Sequence, residues 1–216
     1  MRVFLRRVFL VVTPLAFAAV LWFHPAGGEN VYEGVRGDAG TWLFVHAGFL
    51  FFTPLIGIAA YLLLRGATSR AATVSRVALV FFLVFYTAYE VTVGIGTAVL
   101  VDYANGLPAE EQAVVADAIQ DYNRHPILAD PSVSFVLGSL GWIVAMVAAA
   151  VAFRRSGAGW LLTMLVGLAA LFAAHPPPIG PVGLACFAAA AVLIERAKSR
   201  NAKAVVPGAA PGLSAG

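Results

Sequence analysis

Six continuous apolar stretches, separated by short polar or proline-rich segments, constrain the fold of this chain more than any other feature. They lie at residues 8–23, 42–64, 77–101, 133–153, 160–174 and 179–194. A helix needs about 20 apolar residues to cross roughly 30 Å of hydrocarbon. Membrane strands are about half as long and alternate in polarity, which these stretches do not. The sequence therefore predicts an all-α, polytopic membrane bundle of six transmembrane helices.

The overall composition supports the same prediction. Hydrophobic residues make up 61% of the 216 residues and charged residues only 12%, whereas soluble domains carry about 25% charged residues. A soluble chain of this size could not hide so much apolar surface from water. The lipid bilayer is therefore the expected partner. A soluble enzyme, a nucleic-acid-binding protein and a disordered chain are excluded, and the single cysteine, Cys186, excludes a disulfide scaffold.

The distribution of charge predicts an orientation, because Lys and Arg are retained on the cytoplasmic side of a membrane. Of the 14 basic residues, all except Arg36 and Arg124 fall on the same side of the alternating spans. Both termini are therefore expected in the cytoplasm. The arginine-rich composition, with only two lysines, is typical of a GC-rich bacterial genome, so we expect the bacterial inner membrane. A cleaved signal peptide is the alternative for the first stretch, although Ala16 and Ala18 lie within its apolar run rather than after it.

Two further segments lie outside the predicted spans of the transmembrane domain at residues 1–196. Residues 108–123 begin with a proline, and Glu110 and Glu111 then suit the first turn of a helix. Apolar residues recur at helical spacing after them, so a short amphipathic helix is expected on the outer face. This helix covers the bundle as a lid, or the segment is an inert acidic loop. Residues 197–216 pass from basic to Ala, Pro and Gly and are predicted to form a disordered cytoplasmic tail.

Two ionisable residues inside the apolar stretches, Glu90 and His46, are the strongest indications of a site. A charge at the centre of a membrane helix costs about 3 kcal/mol, so such residues usually have a function. Tyr86 lies one turn before Glu90 on the same predicted face. Thr53 shares a face with His46 and precedes a proline that frees a backbone carbonyl. These four side chains are expected to face the interior of the bundle.

The four histidines are all predicted to lie at or near the outer face. His24, His125 and His175 each precede a proline, where an imidazole can simply complement the end of a helix. His175 also stands in a proline-rich turn. The stretch before it, residues 160–174, rises only about 22 Å and is short for a span. The turn is therefore expected to dip into the membrane and to bring His175 to the pocket, with local thinning of the bilayer as the alternative.

Three functions are compatible with these features. The first is small-molecule, ion or proton-coupled transport or binding at an outward-facing polar pocket, without an assigned catalytic residue. The second is a membrane enzyme or electron carrier with a histidine-ligated haem or metal; otherwise no cofactor is expected. The third is a structural or accessory subunit without a site, and a homo-oligomer or a membrane partner subunit is compatible with the sequence. The candidates for the pocket are His46, Glu90, Tyr86, His175 and Thr53, and those for a metal are His24, His46 and His175.

Overall fold

The computed structural model describes residues 3–127 and 132–204, with side chains as far as residue 200. Helices are the only regular elements in these two ranges. In chain order they are α1 (Val3–Leu21), α2 (Val31–Val35), α3 (Ala39–Leu63), α4 (Arg70–Asn105), α5 (Ala109–Arg124), α6 (Val133–Arg155), α7 (Trp160–Ala173) and α8 (Ile179–Ala204). The chain is therefore an all-helical bundle over its described length.

By length and composition, five helices of the described chain could cross a membrane: α1, α3, α4, α6 and α8. Six spans are thus not confirmed, because the fifth predicted stretch forms the short helix α7. Its α-helical part ends at Leu168, and a 3₁₀ turn follows at Ala169–Ala173. This element rises only about 24 Å, less than the hydrocarbon thickness. The indole Nε1 of Trp142 on α6 donates a hydrogen bond to the carbonyl of Ala169 at 2.8 Å and holds the 3₁₀ turn inside the bundle.

The last helix is longer than the sequence predicted. It continues to Ala204, so the tail predicted to be disordered from residue 197 is helical as far as that residue. Residues 205–216 lie outside the described part of the chain. One contact with α1 lies in the extension, because Arg7 donates to the hydroxyl of Ser199 on α8. Just before it, Glu195 is nearly buried and lies 2.6 Å from the guanidinium of Arg6.

The segment predicted as a short outer helix forms α5. This helix packs across α2 and the last turns of α4, and its Ile119 is buried against Tyr32 and Val101. The Gln120 side chain ties α5 to the start of α2, accepting from the amide of Val31 at 2.9 Å and donating to the carbonyl of Glu29 at 3.0 Å. The segment is therefore a docked helix that covers one end of the bundle. We call this end the far end, and the opposite end, which carries Arg6, Arg7 and Arg196, the basic end.

The core lies in the middle of the bundle and is mostly aromatic. Side chains from five helices meet there without exposure to solvent: Phe17, Phe49, Phe82, Trp142 and Phe172. Close approach of α4 and α6 is possible because α6 carries glycines at the contact. A Cβ at Gly138 would lie 2.6 Å from the backbone nitrogen of Tyr86. Small residues at crossings are how membrane helices pack closely without a hydrophobic driving force.

Candidate functional site

Helix α4 departs from α-helical geometry at two places. It widens into π-helical turns at Phe82–Tyr86 and Glu90–Ile95. Side chains of other helices bond to the second turn: Trp42 Nε1 donates to the carbonyl of Gly94 at 3.0 Å, and the Tyr122 hydroxyl donates to the carbonyl of Thr92 at 2.8 Å. A π turn changes the rotation of the residues that follow and is frequent at functional sites. Here it begins at Glu90.

Glu90 and His46 form a buried pair between α4 and α3. The two side chains are 0% and 3% exposed, and His46 Nε2 lies 3.7 Å from Glu90 Oε2. The ring of His46 rests against Gly94, where a Cβ would overlap it. The glycine therefore creates the space in which an imidazole reaches the carboxyl group.

Hydrogen bonding restricts the protonation states of this pair. His46 Nδ1 lies 2.8 Å from the carbonyl oxygen of Trp42, which can only accept, so Nδ1 carries a hydrogen. A neutral His46 then turns the lone pair of Nε2 toward Glu90. A lone pair facing a carboxylate would be repulsive, so a proton on the imidazole or on the carboxyl would be the favourable state of this contact. A proton on either group would relieve this repulsion.

Two more histidines complete a cluster at this depth. The ring centroid of His24, in the segment after α1, lies 5.1 Å from that of His46 and 4.9 Å from that of His175. His175, in the turn after α7, is hydrogen-bonded through Nδ1 to the hydroxyl of Tyr86 at 3.0 Å. Three imidazoles from three separate segments therefore meet next to Glu90.

The two histidines of the cluster that lie outside the spans, His24 and His175, are held in the neutral form. Burial lowers the pKa of His24, although its hydrogen bond to the carbonyl of Pro25 opposes this. The pKa of His175 is lowered well below 6.5, first by burial and then by the neighbouring His24 and His46. The unfolded chain protonates these rings more readily than the folded chain does. The fold is therefore most stable above about pH 6.5 and loses stability as the pH falls below that value.

Acidification is therefore expected to destabilise the fold through His175. A ring that the fold keeps neutral at a pH at which the unfolded chain is protonated lowers the free energy of unfolding, so the melting temperature should fall by several degrees on acidification. The measurement is thermal melting in detergent at about pH 7.5 and about pH 5. His175→Gln should reduce the difference between the two temperatures, and His125→Gln, at an exposed position, should leave it unchanged. Equal melting temperatures at both pH values in the unaltered chain would contradict the expectation.

A cavity of about 360 Å³ lies beside the cluster. Its lining includes His24, His46 and His175 together with Trp42 and Tyr89. This volume lies within the range of small-molecule pockets. A mixed lining of aromatic faces and imidazoles suits a small polar solute or an ion.

A second cavity of about 400 Å³ shares Trp42 and Tyr89 with the first. Its other walls come from the far end and carry Glu29, Gln120 and Arg124. Because the same side chains line both cavities, the histidine cavity adjoins the polar space beneath α5. The far end is therefore the side from which a polar molecule would approach the cluster.

Aromatic residues close the opposite side of the cluster. Phe49 contacts His175 edge to face at a centroid distance of 5.2 Å and packs against Phe17 and Phe172, all three fully buried. A dry aromatic layer thus separates the histidines from the basic end. The described structure is closed on that side.

The structure brings together most of the candidates from the sequence. His46, Glu90, Tyr86 and His175 converge, and His24 joins them. Thr53 does not: it is fully buried but lies two turns, or about 10 Å, deeper along α3 and is not among the residues that line either cavity.

Two functional neighbours were not identified from the sequence, Trp42 and Tyr89. Trp42 resembles an interfacial anchor by position, but its indole stacks on His46 at a centroid distance of 4.6 Å. Its spacing of four residues from His46 on one helix was the available signal. Tyr89 lies beside Glu90 in sequence, and no periodicity in the apolar stretch distinguishes it.

Metal binding receives no support from the geometry. Within residues 3–127 and 132–204, no group of three or more His, Cys, Asp or Glu side chains is arranged to hold a metal ion. A haem needs only two imidazoles, so that alternative stays a prediction, as does the accessory-subunit alternative. Comparison with family models, curated proteins and solved structures finds no match.

Proposed function

We propose that this membrane protein binds a small polar solute or ion in the histidine cavity and couples its binding to proton exchange between His46 and Glu90. The observation that carries the proposal is the 3.7 Å separation of His46 Nε2 and Glu90 Oε2 in a buried pair. Such a pair is costly inside an apolar bundle and is characteristic of proton relays in membrane transporters.

The surroundings support binding from the far end. His46 is the group that connects the pair to the cavity, because it contacts Glu90 on one side and lines the cavity on the other. A solute that displaces water beside the imidazole would change the cost of its positive charge and thereby the position of the shared proton. Transport would further require the aromatic layer of Phe17, Phe49 and Phe172 to open toward the basic end.

Trp42 provides a direct test, because a protonated imidazole stacked on an indole quenches its fluorescence. The signal of Trp42 is isolated as the difference between the unaltered chain and Trp42→Phe. We expect a reversible quenching transition on acidification in detergent, as the imidazole becomes protonated. Glu90→Gln and His46→Gln should each abolish the transition, because the imidazolium loses its carboxylate partner or the imidazole itself is absent.

Glu33→Gln is the matched control. Glu33 lies at the far end, is exposed and pairs with Arg36 at 3.1 Å, so this variant removes one carboxylate without touching the cluster. It should retain the full transition. A transition that persists unchanged in Glu90→Gln would contradict the proposal.

A further inference from the structure

A groove at the basic end has a chemistry unrelated to the histidine cavity. It lies between the first turns of α1 and the last turns of α8 and has a volume of about 470 Å³. Arg7, Arg196 and Arg200 line its rim together with Ser199. One side of the groove is therefore strongly basic.

The single acidic group of the groove is already compensated. Glu195 lies 2.6 Å from Arg6, 3.4 Å from Arg7 and 3.8 Å from Lys198. Within the described residues, Arg196 and Arg200 make no ion pair or hydrogen bond. Two exposed guanidinium groups thus remain available to an external anion.

The floor of the groove is apolar. Val11 follows Arg7 by one turn on α1, and Val192 precedes Arg196 by one turn on α8, so both valines lie about 6 Å toward the middle of the bundle. Each wall therefore presents an arginine at the end of the bundle and an apolar side chain beneath it. This order, charge above and hydrocarbon below, matches a phospholipid rather than a soluble anion.

We propose that this groove binds the phosphate headgroup of an anionic phospholipid, with an acyl chain against Val11 and Val192. Guanidinium groups bind phosphate oxygens through paired hydrogen bonds, which Arg196 and Arg200 can both supply. Basic pockets between membrane helices are known to bind such headgroups. The bound lipid would bridge α1 and α8, the first and last helices of the described bundle.

The test is native mass spectrometry of the full chain in detergent, titrated with phosphatidylglycerol or phosphatidylcholine. Phosphatidylglycerol should bind at least about tenfold more tightly than phosphatidylcholine, and Arg196→Gln/Arg200→Gln should weaken its binding by about tenfold. Both substitutions are at exposed positions, and neither side chain makes an ion pair or a hydrogen bond within the described residues. The melting temperature should therefore stay within about 2 °C of the unaltered chain.

Arg154→Gln/Arg155→Gln is the matched control. It removes two charges from α6 at the same end, outside the groove, and should change binding less than about twofold. Equal weakening by both double variants would overturn the proposal, because it would indicate diffuse attraction. Displacement of the lipid by inorganic phosphate at similar concentration would also overturn it and would identify a soluble anion as the ligand. Equal binding of the two lipids would likewise overturn the proposal.

Discussion

Replacement of Gly94 by alanine is expected to abolish the pH-dependent quenching of Trp42. The added Cβ would overlap the imidazole of His46, so the ring can only shift toward the cavity that it lines. His46 must therefore move away from Glu90, and the shared proton loses one of its two sites. Trp42, which stacks on His46 and donates to the carbonyl of Gly94, is displaced with it.

The measurement is the fluorescence titration in detergent, with the emission maximum recorded at each pH. Gly94→Ala should show no transition, and its emission should shift to longer wavelength as the indole meets water. Gly40→Ala is the control, because the same methyl group at that position of α3 would meet nothing within 4 Å. A full transition in Gly94→Ala would show that the close approach of His46 to α4 is not required.

Alanine at both Gly138 and Gly141 is expected to destabilise the whole bundle. Each Cβ would lie 2.6 Å from a backbone nitrogen of α4, that of Tyr86 or that of Phe82. Backbone atoms cannot rotate away as a side chain can, so α4 and α6 must separate along their contact. Overpacking costs about 1–3 kcal/mol per site, which predicts a fall of about 10 °C in melting temperature for the double variant.

Thermal melting in detergent measures this effect, with Gly167→Ala as the control. A Cβ at Gly167 would meet only the side chain of Ala150, at 4.0 Å, an ordinary contact. The double variant should also weaken the hydrogen bond between Tyr86 and His175, because Tyr86 lies on the part of α4 that must move. A melting temperature within about 2 °C of the unaltered chain would contradict this account of the crossing.

The residues of the site were partly predictable, because the free-energy cost of an ionisable group in an apolar helix depends on that helix alone. A carboxyl group at position 90 and an imidazole at position 46 stand out in any apolar helix, whatever surrounds it. The role of Trp42 was not predictable in the same way. Aromatic residues are common near the ends of membrane helices, so its sequence context favours an interfacial anchor, and only its contact with His46 distinguishes it.

Thr53 was predicted to belong to the site but does not reach the cavity. It shares a face with His46 on α3, and the sequence alone gave no measure of how deep the cavity extends. Phe49 lies between His46 and Thr53 on α3, and neither Phe49 nor Thr53 lines the cavity. A common face therefore did not imply a common site, because depth along the helix decides which side chains reach the cavity.

The sequence by itself determined the helical bundle and its apolar spans, because hydrophobic length is a property of each segment alone. It also placed two ionisable residues, Glu90 and His46, inside apolar helices, where a charge is costly. Only the tertiary structure decided that the fifth stretch stops short, that α8 continues past residue 197, and that His24 meets His46 and His175. These outcomes depend on the rotation and depth of each helix against its neighbours, which glycine contacts and π turns set and which no single segment encodes.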